Sequence, residues 1–101
     1  LQNSLFFIIL NLKEHNALTR REKLISRLHQ KPRDFTWDEL ISLLSSFGFE
    51  QRNTGKTGGS RRRFIHPNGS IINLHEPHPQ KVLKRYQIDL VVEILENERF
   101  L

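Results

Sequence analysis

A chain of 101 residues is one domain's worth of sequence, and 37% hydrophobic against 27% charged content suits an ordinary folded core rather than a disordered tract. The absence of cysteine excludes a disulfide framework, a thiolate metal site and a cysteine nucleophile, and it fits a reducing cytoplasm. Sixteen Lys and Arg against eleven Asp and Glu leave a net charge of +5 and a pI near 10.1, a potential that draws nucleic acid, an anionic membrane surface or an acidic protein.

The first apolar run, Leu5-Phe6-Phe7-Ile8-Ile9-Leu10, is cut by Asn11 and Lys13, far short of the roughly 20 residues of a spanning helix. It also lacks the basic leader and small-residue cleavage site of a signal peptide. Residues 1–18 are expected to be an N-terminal extension, either a short packed element or vector-derived sequence, ahead of a domain over 19–101. Thr19-Arg20-Arg21-Glu22 is a capping box that opens a helix with Leu24, Ile25 and Leu28 on one stripe, stopped near Lys31 by Pro32. A second box, Thr36-Trp37-Asp38-Glu39, stands between Phe35 and Leu40, which are spaced as a hydrophobic staple. Trp37, Leu40, Ile41, Leu44 and Phe47 then recur at helical spacing, and Gly48 falls where a C-terminal cap belongs.

After Gly48 the period changes. Residues 49–54 read as a strand, Gly55-Lys56-Thr57-Gly58-Gly59-Ser60 as a loop, and 61–66 as a second strand. Pro67-Asn68-Gly69 is a turn signal, and 70–75 completes the hairpin. Glu76-Pro77-His78-Pro79 is an extended connection, because each proline fixes its own φ and turns its predecessor away from helix. From Lys81 a closing helix is expected, with Leu83, Tyr86, Leu90 and Ile94 on its buried stripe, widened by Val91 and Leu95. Helices over one face of a three-stranded antiparallel meander make an α+β sandwich of two layers. Alternation along the middle strand puts Arg62, Phe64 and His66 on one side and Arg61, Arg63 and Ile65 on the other. Phe64 marks the core side, so Arg61 and Arg63 point from the open face.

The chemistry-bearing residues concentrate around that strand. Gly58, Gly59 and Ser60 followed by Arg61, Arg62 and Arg63, with Lys56 nearby, combine a backbone that can approach a phosphate with guanidinium forks that match it. A floppy loop beside a solvated edge is the plainer reading; the charge patch favours phosphate binding. Gly55-Lys56-Thr57 is not a nucleotide-binding P-loop, because the upstream glycine position is Glu50 and no helix follows. His66, His75 and His78 lack further ligands at metal spacing, so no metal and no cofactor is expected. Imidazole suits proton transfer at a ribose 2′-hydroxyl. His66 reads as a turn residue, whereas for His75 and His78 capping and acid–base roles both stand. Trp37, Phe47, Phe49 and Phe64 read as packing residues. Asp34, Asp38 and Glu39 read as helix-start residues rather than a catalytic carboxylate pair.

Phe35-Thr36-Trp37-Asp38-Glu39-Leu40, Leu43-Leu44 and Gly48-Phe49, then the run from Gly59 to Gly69, then His78-Pro79 before the closing helix, resemble in succession the HicA-type toxins of bacterial toxin–antitoxin systems. The resemblance covers residues 19–101. It implies an α-β-β-β-α core similar to a double-stranded-RNA-binding domain, here with an extra N-terminal helix. It also implies metal-independent cleavage of messenger RNA in the cytoplasm, and neutralisation by a HicB-like antitoxin, with no membrane and no small-molecule cofactor involved. The family's catalytic His follows the Gly-Ser, and that position here is Arg61. Arginine is not deprotonated in proteins and cannot serve as the base, though it can stabilise a charged phosphorane. The base is then expected to be His75, at the end of the third strand on the side of Arg61, with His78 as second choice. A non-catalytic RNA-binding module and a basic protein-interaction domain are the alternatives on the same scaffold.

Overall fold

In a computed structural model, residues 18–53 and 59–101 are described, and they form helices α1 (Arg20–His29) and α2 (Trp37–Ser46), strands β1 (Glu50–Asn53), β2 (Arg61–Ile65) and β3 (Ile71–His75), and helix α3 (Arg85–Asn97). The apolar run at Leu5–Leu10 lies outside the described residues. Both capping boxes form. The Thr19 hydroxyl accepts from the Glu22 N–H at 3.2 Å while the Glu22 carboxylate accepts from the Thr19 N–H at 3.0 Å. Thr36 and Glu39 exchange the same pair at 3.1 and 2.9 Å. Each box satisfies two backbone donors that a helix start would otherwise leave orphaned. Gly48, at φ +101°, ends α2 in the left-handed conformation.

The sheet is antiparallel in the order β1-β2-β3. In it Arg61 faces His75, Arg63 faces Asn73 and Ile65 faces Ile71. The Glu76 N–H donates to the Ser60 carbonyl at 2.7 Å, and the His66 N–H to the Ser70 carbonyl at 2.9 Å. Those bonds flank the pairs Arg61–His75 and Ile65–Ile71, which are therefore non-hydrogen-bonded pairs, the kind in which facing side chains come closest. The hairpin loop is Pro67-Asn68-Gly69, with only Gly69 at positive φ (+95°), so this is a three-residue loop rather than a two-residue turn. Asn68 braces it by accepting from the Ser70 N–H at 2.8 Å.

One sheet face carries Phe64, Ile72 and Leu74, all buried; α2 and α3 pack on it, and α1 packs against those two helices. Trp37 of α2 meets Phe64 with ring centroids 5.7 Å apart, at the centre of a core that also holds Phe35, Leu40, Leu44 and Leu95. Burying each such side chain contributes about 1.5–3 kcal/mol. The Arg20 and Arg21 side chains donate to Ser42 and Ser46 at 3.1 Å, tying α1 to α2. No helix among the described residues is long and apolar enough to cross a membrane.

The expected closing helix needs correction. It begins at Arg85, not Lys81, because residues 81–83 run extended against the α1–α2 connection. Trp37 N–H donates to the Lys81 carbonyl at 3.0 Å, Leu83 N–H donates to the Phe35 carbonyl at 2.8 Å, and Val82 bridges Thr36. Leu83 thus reaches the core from outside the helix, and the buried stripe is Gln87, Ile88, Val91, Val92 and Leu95. Tyr86 and Leu90, expected on that stripe, are exposed.

Candidate functional site

The other sheet face is open. Arg61, Arg63, Ile71, Asn73 and His75 are all exposed on it, and Arg61, Arg63, Asn73 and His75 line a shallow groove of about 460 Å³. The face follows from strand alternation, because Phe64 is committed to the core and its neighbours must point away. Arg63 Nε donates to Asn73 Oδ1 at 3.2 Å across the ladder, which holds the guanidinium over the sheet. His75 stands opposite Arg61, and its Nδ1 is 3.1 Å from Ser60 Oγ. In the tautomer whose Nδ1–H donates to that hydroxyl, Nε2 carries the lone pair that can accept a proton.

The groove is held from behind. Glu76, one residue beyond His75, places its carboxylate between Arg62 Nε at 3.3 Å and Lys81 Nζ at 2.6 Å. The hydrogen bond from Lys81 lowers its pKa below the ordinary carboxylate value; burial opposes this, and the charges of Lys81 and Arg62 reinforce it. Arg62 also donates to the carbonyls of Gly59 and Arg61 at 2.8 and 2.9 Å. The clamp thereby fixes the start of β2 to the end of β3. Arg62, grouped by sequence with the phosphate-binding arginines, lies on the side of the sheet away from the groove, and the reason is that same alternation. Gln87, 2% exposed, donates from Nε2 to the His75 carbonyl at 2.8 Å and accepts from the Lys84 N–H at 3.0 Å. This side chain joins the last residue of the sheet to the first turn of α3.

Among the residues singled out by sequence, Ser60, Arg61, Arg63 and His75 are therefore brought together. His78 is exposed and lines a second, smaller concavity that His75 also borders. Gly59 is exposed at φ +58°, one residue before Ser60. Lys56 and Gly58 lie outside the described residues. His66 sits elsewhere: its Nε2 is 2.9 Å from the Phe47 carbonyl and its Nδ1 accepts from the Asn68 N–H at 3.0 Å, a structural role at the turn. Among the described residues no three His, Asp or Glu side chains gather as a metal site.

Sequence reasoning passed over Glu76, Gln87 and Asn73. Gln87 had a signal, since it stands three residues after Lys84 as the Gln of a capping box does, but no Ser or Thr precedes it to raise the alarm. Residues 37–96 match the family model described as the HicA toxin of bacterial toxin–antitoxin systems, a span that runs from the first residue of α2 almost to the end of α3. No curated protein and no solved structure matches the chain.

Proposed function

From the premise that the chain belongs to the HicA toxin family of bacterial toxin–antitoxin systems, which implies an antitoxin partner, we propose that it is a metal-independent endoribonuclease whose proton-transfer group has moved from β2 to β3. The observation that carries this is the non-hydrogen-bonded pairing of Arg61 with His75. Facing side chains in such a pair start from Cβ atoms about 5 Å apart. His75 thus emerges beside the position at which the family resemblance expects its catalytic His, and Arg61 adds a fixed positive charge there.

The chemistry is an internal displacement on RNA. His75 Nε2 takes the proton of a ribose 2′-hydroxyl, whose oxygen attacks the adjacent phosphorus. The bond from phosphorus to the 5′-oxygen breaks, and that oxygen receives a proton from His78 or from water. The products are a 2′,3′-cyclic phosphate and a free 5′-hydroxyl. Arg61 and Arg63 bind the phosphate and stabilise the charge that builds on it in the transition state. Ser60 orients the imidazole through Nδ1. Neutralisation is by a HicB-like antitoxin.

The test is incubation of the purified protein with labelled RNA in EDTA, beside His75→Ala and Arg61→Ala variants prepared identically. Wild type is expected to leave 2′,3′-cyclic phosphate ends, with His75→Ala slower by about 10²–10⁴-fold. Equal cleavage by wild type and His75→Ala would overturn the site. The second reading, a non-catalytic RNA-binding module, is favoured by one residue, the arginine at position 61. It requires tight, salt-sensitive RNA binding with no cleavage by any of the proteins.

A further inference from the structure

Tyr86 is the chain's one tyrosine, and it stands 60% exposed on the first turn of α3. It is not packed against the core, whose helix stripe runs through Ile88, Val91, Val92 and Leu95 instead. Its ring borders a concavity of about 210 Å³ whose other walls include Pro77, His78 and Lys84. Ser60 and His75 form the side of that concavity toward the sheet. His75 also borders the arginine groove, so the two depressions share a wall at the proposed proton-transfer group. A volume this small lies below the roughly 300 Å³ at which sites for drug-sized ligands begin, so it suits one ring system rather than a whole nucleotide.

We propose that this concavity is a nucleobase subsite: the base flanking the phosphate held by Arg61 and Arg63 stacks on Tyr86, and Lys84 takes the next phosphate along the strand. This rests on the RNA reading above and adds to it a place for a base. The arginine groove offers charge but no aromatic face; Tyr86 supplies the face and Lys84 continues the charge. An aromatic platform next to a cationic track is the arrangement by which single-stranded nucleic acid is held without base-pair readout. The substrate it fits is a single strand, because a paired base would not be available to leave its stack and enter.

The experiment uses a 2′-O-methylated single-stranded RNA, which resists cleavage, and an abasic oligomer of the same length and backbone. Affinities of the full chain are compared for wild type, Tyr86→Phe, Tyr86→Ala and an Arg61→Ala, Arg63→Ala double variant. The expected result is that Tyr86→Ala binds the base-bearing strand about 5- to 150-fold more weakly, the equivalent of about 1–3 kcal/mol per stacked base. It should bind the abasic strand as wild type does, and Tyr86→Phe should match wild type on both. Because Tyr86 is largely outside the core, unchanged abasic binding also reports an intact fold. If Tyr86→Ala weakens neither strand, or both equally, the subsite is overturned. In that event a weakened double variant leaves the phosphate groove standing, whereas an unweakened one removes the RNA reading as well. Loss of antitoxin binding by Tyr86→Ala with RNA affinity intact would reassign the ring to the protein partner and overturn the subsite.

Discussion

Gly48 shows how closely one residue is set by its surroundings. A Cβ there would lie 3.1 Å from His66 Nε2, which is itself engaged with the Phe47 carbonyl, and the backbone is left-handed at φ +101°. Gly48→Ala is expected to cost about 1–2 kcal/mol through the backbone alone, read as a lower urea midpoint with an unchanged slope. Glu76 sets a different expectation. Its folded pKa lies below the ordinary glutamate value, so its contribution to stability is fully present above that value and is lost as the pH falls through the folded one. Urea midpoints taken at pH 7 and pH 3 should converge more in Glu76→Gln than in wild type; equal acid sensitivity would show the clamp to be idle. At this scale Gly48, Arg61 and Arg63 were legible, because a cap position and strand parity depend on near neighbours. Glu76 and Gln87 were not, since Arg62 and the His75 carbonyl lie fourteen and twelve residues away in the chain and are met only after folding.

Among the elements, the starts of α1 and α2 are readable to the residue because both are announced by local chemistry, a Thr and a Glu three apart, whereas α1 ends at His29, two residues short of the Lys31 that Pro32 suggests. Glu39 also meets Arg27 of α1 at 3.2 Å, so the α2 cap is a tertiary contact as well. Thr36→Ala is expected to destabilise the fold by about 1 kcal/mol, visible as a shift of the thermal or urea midpoint. A Thr36→Ser variant, which keeps the hydroxyl, should recover most of it. The start of α3 lies four residues beyond Lys81, where the sequence predicts it, for the opposite reason. Residues 81–83 look helical in composition, yet they satisfy their backbone by pairing with Phe35 and Trp37, more than forty positions upstream. No window-sized pattern carries that information. The change of phase it produced is what brought Tyr86 to the surface.

Over the whole molecule, the two faces of the sheet differ in kind. The helices seal one side of the sheet with apolar residues, and Arg61 and Arg63 are presented on the other. Binding of single-stranded RNA should therefore weaken with salt, by about 0.7 in log–log slope per phosphate contact. The Arg61→Ala, Arg63→Ala variant is expected to flatten that slope by about 1.4, measured by titration across a range of potassium chloride. An unchanged slope would place the contacts elsewhere. The division into layers was legible from alternation and stripes, and so was the identity of the middle strand, but the depth of the groove and its shared wall were not.

The pairing of Arg61 with His75 has an arithmetic side. Positions that face each other across the β2–β3 hairpin always sum to the same number, and that number is odd or even according to the length of the loop between them. Losing one residue from Pro67-Asn68-Gly69 would force a choice: slide the ladder by one, or distort the turn. Sliding would swing Ile72 and Leu74 out of the core, at about 1.5–3 kcal/mol apiece. The oily underside of β3 therefore acts as a ratchet for its upper side. A loop that keeps its count, the Asn68 brace and the positive φ of Gly69 keeps the register, and the spacing of two polar groups is guarded by hydrocarbons on the opposite face of the sheet.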